Sequence, residues 1–109
     1  MWMSPALASD PVLIRLRTAL TGLYGSRLER VLLFGSRARG EAQPKSDYDV
    51  AVFLEPLHDR WAELDRLADL RVRFLDETGA FIDAKPYPAG TYRDATPLMH
   101  EIRREGLDL

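Results

Sequence analysis

The sequence lacks cysteine altogether, which excludes disulfides and thiolate metal sites. It also lacks a long apolar run, since no segment approaches the roughly 18 apolar residues of a membrane-spanning helix. Neither sign of charge dominates, because 15 basic and 17 acidic residues give a net charge of −2. A strongly basic face for direct nucleic-acid binding is therefore not expected. The first ten residues have neither a basic segment nor a sustained apolar run, so they do not resemble a signal peptide. These absences predict a cytoplasmic protein that binds no membrane.

What the sequence does have is a patterned apolar fraction of 46% over 109 residues, which predicts one domain with a core, residues 1–109. Pro11 after Asp10 is typical of a capped helix start, and Gly79 is a natural end for a long helix that begins at residue 60. Three apolar runs, 30–34, 48–54 and 80–88, are short and predict strands. A last helix is predicted with Pro97 in its first turn. The fold class is therefore α/β (α+β): a small mixed β-sheet flanked by helices in the order αβαβαβα.

Apolar residues at helical spacing predict which helix faces are buried. The predicted core positions are Leu13, Leu16, Leu20, Leu23 and Tyr24 in the first helix and Trp61, Leu64, Leu67, Leu70 and Phe74 in the long one, widened by Ala68, Val72 and Leu75. Trp61 is interpreted as a core anchor rather than as a platform on which a base stacks.

The first predicted strand ends in Gly35-Ser36, which suits a close approach of backbone to an anion. If a short helix begins at Ser36, its hydroxyl and free amide groups favour phosphate. Arg37 and Arg39 add charge and forked hydrogen-bond donors. The pattern matches neither a P-loop nor a dinucleotide-binding turn. Taken alone, it is equally compatible with an ordinary turn.

Asp47 and Asp49 stand at the start of the second predicted strand, one residue apart. On an extended chain they point to the same face, about 7 Å apart at the backbone. A divalent cation such as magnesium or manganese would relieve their repulsion. The alternative is that both aspartates cap a loop and face water. Asp83, the only acidic residue of the third apolar run, is a third candidate ligand, unless it merely pairs with Lys85.

The motif GSRARG at 35–40, followed by SDYD at 46–49, resembles the signature of the polymerase-beta-type nucleotidyltransferase superfamily. The similarity is greatest to its minimal nucleotidyltransferase (MNT) branch, which includes the MntA-like antitoxins of HEPN/MNT toxin–antitoxin pairs. By this resemblance, Gly35, Ser36, Arg37 and Arg39 are nucleotide-binding residues. Asp47, Asp49 and Asp83 are expected to be catalytic and to bind two Mg²⁺ ions, with Mn²⁺ as the alternative metal.

The resemblance also implies an activity and a partner. A nucleotidyltransferase of this branch is expected to transfer AMP from ATP to a hydroxyl, here a tyrosine of a HEPN-domain toxin, and so to act as an antitoxin by AMPylation. Two alternatives remain open: an antitoxin that neutralises its toxin by contact alone, and an antibiotic-type enzyme that modifies a small hydroxyl compound. The base of the nucleotide and the oligomeric state, homomeric or heteromeric, are not specified by the sequence.

Overall fold

The computed structural model describes residues 8–109, and the sequence-based interpretation of residues 1–7 lies outside that range. The predicted order αβαβαβα is confirmed, and two 3₁₀ turns, Gly25–Arg27 and Ala89–Arg93, connect elements. The helices are α1 (Pro11–Tyr24), α2 (Ser36–Arg39), α3 (Arg60–Thr78) and α4 (Pro97–Glu105). The strands are β1 (Leu28–Phe34), β2 (Tyr48–Leu54), β3 (Ile82–Pro88) and β4 (Leu107–Asp108). Within residues 8–109, no helix combines the length and apolar character needed to cross a membrane.

The four strands form one mixed sheet in the order β3-β2-β1-β4. Strand β2 runs antiparallel to β1 and parallel to β3, and β4 adds a short antiparallel pair at the other edge. The connection from β2 to β3 is α3, as a parallel pair requires a crossover. Strand β4 was not predicted from the sequence.

The helices begin and end where the sequence predicts. Asp10 caps α1 by accepting a hydrogen bond from the Val12 amide at 2.9 Å, which satisfies a donor that has no partner in the first helical turn. Asp59 caps α3 in the same way through the Ala62 amide. Gly79 ends α3 in the left-handed conformation, which glycine adopts without a steric penalty.

Each face of the sheet buries a different set of side chains, because successive strand residues alternate between faces. Even-numbered residues of β2, such as Val50 and Val52, pack with the inner faces of α1 and α3. Odd-numbered residues, such as Ala51 and Phe53, pack with Met99 of α4 and its neighbours. Even-numbered residues of β2 therefore face α1 and α3, and odd-numbered residues face α4.

Part of the predicted helix core is exposed. Trp61 is 78% exposed and Val72 67%, and Leu23 and Leu75 are each 42% exposed. The interpretation of Trp61 as a core anchor is therefore wrong. The buried face of α3 consists of Leu67, Leu70 and Phe74 together with an unexpected carboxylate, Glu63, and Trp61 lies on the opposite side of the helix.

Candidate active site

A polar cleft lies on the α4 side of the sheet, where β1 ends and β2 and β3 begin. Its charged and hydroxyl-bearing walls are Ser36, Arg39, Asp49, Asp83, Lys85 and Glu101. Its remaining walls include Phe34, Leu98 and the aromatic ring of Tyr87. Five elements therefore meet at this cleft: the end of β1, α2, the starts of β2 and β3, and α4. Two sequence segments that are far apart, 34–49 and 83–101, supply the groups jointly.

Asp49 and Asp83 are direct partners in the register of the parallel strands β2 and β3. Residues paired in this way point to the same face, so both carboxylates project into the cleft. Partial burial raises the pKa of Asp49, and the negative charges of Asp83 and Asp47 raise it further, while Lys85 and Arg39 oppose the shift. Clustered carboxylate oxygens of this kind suit a hard divalent cation.

Gly35 makes room for the Asp49 carboxylate. Its φ is +76°, a conformation that L side chains rarely adopt. A Cβ atom on residue 35 would overlap the Oδ2 atom of Asp49 and lie 3.2 Å from its Cγ. The absence of a side chain at Gly35 therefore lets β2 place the Asp49 carboxylate against the turn.

Arg39 lies in the cleft and is held by two glutamates. Its Nε donates a hydrogen bond to Glu41 at 2.6 Å, and its Nη1 donates one to Glu105 of α4 at 3.1 Å. These hydrogen bonds, that to Glu41 first, raise the pKa of Arg39. The guanidinium is thus tethered at the cleft wall, beside Ser36 and within electrostatic reach of Asp49.

Arg37 lies elsewhere, although it is only two residues away. Its guanidinium stacks on the Tyr48 ring, 3.9 Å from the ring centroid, and its Nε donates to the Ser46 carbonyl at 3.0 Å. It borders a second hollow with Pro44 and Phe81 rather than the cleft. The two arginines that the sequence suggests as nucleotide ligands are therefore separated by the structure.

Asp47 is exposed and stands just before β2. Its charge reaches Asp49, but residues 8–109 contain no group of three His, Cys, Asp or Glu side chains close enough to form a ready metal cage. Asp49 and Asp83 thus form the inner pair, and Asp47 is the carboxylate whose place depends on the loop that precedes it.

The chain matches the model of a known protein family. The family model for the nucleotidyltransferase domain matches residues 13–94. This span covers most of the chain, from α1 to just after β3, and includes Ser36, Asp49 and Asp83. The chain belongs to this family. It is therefore a nucleotidyltransferase, a class of enzyme that generally uses divalent cations.

Solved structures share the fold of this nucleotidyltransferase. One, described as a toxin-antitoxin with AMP-PNP, is 21% identical with a TM-score of 0.59, over 86% of this chain and 69% of the other. A mutant of the toxin-antitoxin MntA-HpeT is 18% identical with a TM-score of 0.61 and the same coverage. A second mutant of that pair is 21% identical with a TM-score of 0.60, over 88% and 70%. No curated protein matches the chain.

Three charged residues in or beside this nucleotidyltransferase cleft were not assigned to the site from the sequence: Lys85 and Glu101, which line it, and Glu105, which binds Arg39. Glu101 and Glu105 come from α4, at spacing i, i+4, which places them on one helix face. This spacing was a usable signal, although nothing in the sequence says that the face turns toward β2. Lys85 lies two residues after Asp83 and therefore on the same strand face, with its Nζ 3.9 Å from the Asp83 carboxylate. The ion pair considered as an alternative is thus present, and it is inside the cleft.

Proposed function

We propose that this nucleotidyltransferase transfers AMP from ATP to a tyrosine hydroxyl of a cognate HEPN-type toxin in the cytoplasm, and so acts as an antitoxin. The observation that carries this proposal is the cleft itself: Asp49 and Asp83 project from paired positions toward Ser36 and Arg39. The two carboxylates suit the metal ion that accompanies a nucleoside triphosphate, and the Arg39 guanidinium with the Ser36 hydroxyl suits the phosphate oxygens. Structures of the same fold described as toxin-antitoxin complexes, one with AMP-PNP, support the choice of nucleotide and partner.

The proposed reaction assigns one task to each group. The tyrosine oxygen attacks the α-phosphorus of ATP, forming a new P–O bond, while the bond between that phosphorus and the bridging oxygen breaks and pyrophosphate leaves. The Asp83 carboxylate accepts the hydroxyl proton. Ser36 and Arg39 bind the phosphates that become pyrophosphate, with Gly35 giving the turn that presents them. Positioning and charge supply most of the rate enhancement in such transfers.

The acidic residues fit a divalent cation, because partial burial raises the pKa of Asp49 and the charges of Asp83 and Asp47 raise it further, so that added positive charge would favour the ionised carboxylate. Asp47, Asp49 and Asp83 would hold magnesium, or manganese in its place, together with phosphate oxygens. Bound there, the metal would stabilise negative charge on the attacking and leaving oxygens.

The outer side of α3 is the surface that we propose for binding a partner protein. Trp61, Ala68 and Val72 are exposed and lie within about 40° of one another around the helix, given 100° per residue. Leu75 and the half-buried Leu64 extend the same stripe. We name these five residues the α3 stripe. An exposed apolar stripe on a single helix is typical of a protein-binding surface.

The charges beside the α3 stripe indicate which partner it suits. Asp65, Asp69 and Asp76 are all exposed and follow one another along one edge of the stripe. In an antiparallel pair of two copies of α3, these acidic edges would face each other, which disfavours that arrangement of two copies. A toxin helix with an apolar face and a basic edge complements the α3 stripe, and we assign docking of the toxin to it. Because α3 and the cleft lie on opposite sides of the sheet, binding and transfer are separable, and a binding-only antitoxin is the second candidate.

The test is a mass measurement on the co-expressed toxin with ATP, with and without magnesium. We expect the toxin to gain the mass of AMP on a tyrosine only when ATP and magnesium are both present. D49N should abolish the gain while leaving the fold intact, since it removes charge at nearly constant shape. D108N, an exposed change in β4, is the matched control and should keep full activity. A wild-type complex that protects cells without any mass gain would refute transfer and favour the binding-only alternative.

A further inference from the structure

The loop between α2 and β2, residues 40–47, ends at Asp47, whose charge acts on Asp49 in the cleft, and Arg37 holds this loop. The Arg37 Nε donates to the Ser46 carbonyl at 3.0 Å. Its Nη2 donates to the Pro44 carbonyl at 3.3 Å and to the Gln43 carbonyl at 3.4 Å. One guanidinium thus binds three carbonyl groups of a single turn, a use for which the planar fork of arginine is suited and the point charge of lysine is not.

The Ser46 carbonyl is the important one, because it belongs to the peptide group that leads into Asp47. A peptide group is planar, so fixing its oxygen also fixes the direction of the Asp47 amide on the other side. Ser46 is further braced within the turn, since its Oγ accepts from the Gln43 amide at 2.8 Å. Arg37 therefore defines the backbone position from which the Asp47 carboxylate extends.

Arg37 is itself anchored on the side of the sheet away from the cleft. Its guanidinium stacks 3.9 Å from the centroid of the Tyr48 ring, and Tyr48 is only 6% exposed. The Tyr48 hydroxyl donates to Asp10 Oδ2 at 3.0 Å, and Asp10 is the cap of α1. A continuous set of contacts therefore joins the start of α1 to the loop that carries Asp47.

We infer that Arg37 is a positioning residue that sets the place of Asp47 for metal binding, and that it does not bind the nucleotide. The inference rests on the proposed function in taking Asp47 as a metal ligand. The sheet holds the inner pair, Asp49 and Asp83, in register, whereas Asp47 lies before β2 and needs a separate support. Groups that orient metal ligands from outside typically change metal affinity or activity 10- to 100-fold when they are mutated.

The experiment compares R37K with wild type by titrating Mn²⁺ alone, and then Mn²⁺ with ATP, using calorimetry. R37K keeps the charge but loses the forked hydrogen bonds. We expect the half-saturating Mn²⁺ concentration to rise about 10- to 100-fold. Activity lost at low metal should return at high metal, and binding of tripolyphosphate without metal should stay unchanged. R30K is the matched control, because Arg30 stacks on Tyr92 at 4.1 Å and serves neither the loop nor the cleft.

Three outcomes would overturn the inference. If R37K weakens tripolyphosphate binding and added metal restores nothing, Arg37 is a phosphate ligand. If R37K and R30K lose thermal stability equally while the Mn²⁺ titration of R37K matches wild type, Arg37 has only a structural role. Absence of Mn²⁺ binding in wild type would refute the metal assignment of Asp47 and the inference with it. By contrast, Mn²⁺ binding that R37K weakens, without AMP transfer by wild type, would support the inference and refute the proposed function alone.

Discussion

Gly35 is the position where one added methyl group tests the geometry of the site most sharply. The substitution G35A has two effects. It places a side chain at a φ of +76° and a ψ of −158°, a region essentially restricted to glycine, which costs about 1–3 kcal/mol. It also puts a Cβ where the Asp49 carboxylate lies, 3.2 Å from Asp49 Cγ and in overlap with Oδ2. The carboxylate must move by a distance on the order of 1 Å, and misplacement of that size costs about 10²-fold in rate.

Gly40 offers the control, because it has a φ of +75° and a Cβ there would meet nothing within 4 Å. G40A should cost about 1–2 kcal/mol of stability through its backbone alone, which corresponds to a loss of roughly 4–16 °C in Tm. The assay is ATP binding with magnesium, followed by AMP transfer, at a temperature where circular dichroism shows both variants folded. We expect G35A to lose both activities about 10²-fold or more and G40A to keep them within a few-fold. Equal activity of the two variants would refute the reasoning, because the contact between residue 35 and Asp49 would then have no consequence.

Two further predictions concern other parts of the molecule. Burial opposes ionisation of Glu63, but hydrogen bonds from Arg27 at 2.6 Å and Arg66 at 2.9 Å outweigh it, so its pKa lies below the ordinary value of 4.5. The stability that Glu63 contributes is therefore complete above pH 4.5 and is lost as the pH falls through the folded pKa. In urea denaturation, E63Q should be about 2 kcal/mol less stable than wild type at pH 7 and should lack this part of the acid dependence. Parallel curves of unfolding free energy against pH for E63Q and wild type would contradict the prediction. In the α3 stripe, the double substitution W61S and V72S should weaken toxin binding at least 30-fold, since a tryptophan hot spot contributes about 2 kcal/mol, while ATP binding should not change. Toxin affinity equal to wild type in a pull-down series would exclude the α3 stripe as the docking surface.

Much of the fold could be predicted because local signals and tertiary packing agree. Asp10 with Pro11 and the closing Gly79 are local cap signals, and the structure uses both. The second strand was predicted with its bounds, 48–54, because an apolar run broken only by Asp49 lies between the preceding loop and Glu55-Pro56. Strand β4 could not be predicted, since two residues carry no periodicity and its pairing with Leu32 and Leu33 is a tertiary contact.

The error on α3 has a different cause. Its apolar residues form two stripes rather than one wide face: Leu67, Leu70 and Phe74 face the sheet, and Trp61 with Val72 lies on the far side. Helical spacing shows which apolar residues share a face of the helix, but it does not show which of two apolar faces packs against the core. The buried Glu63 was missed because its partner Arg27 comes from a turn 36 residues earlier, a tertiary contact that helical spacing does not reveal.

The candidate site was predictable in its residues and less so in their arrangement. Gly35, Ser36, Arg39, Asp49 and Asp83 meet at one cleft, which motif and strand parity together predict. The separation of the two arginines also follows from elementary geometry once α2 is known to be helical. Residues two apart on a helix are about 200° apart, so side chains at 37 and 39 must point in nearly opposite directions. Without α2, the sequence treats them as equivalent.

The same alternation explains why a tyrosine stands between the two aspartates of the motif. Asp49 faces the cleft, so its neighbour Tyr48 must face the α1 and α3 side. There burial raises the pKa of Tyr48, and its hydrogen bond to Asp10 raises it further, so the ring remains a neutral donor and a surface for Arg37. A flexible loop carrying a carboxylate would lose much of its metal affinity to conformational entropy. The Tyr48 ring, anchored between the two aspartates, therefore connects the loop before Asp47 to the sheet, since Arg37 stacks on the ring and binds the Ser46 carbonyl.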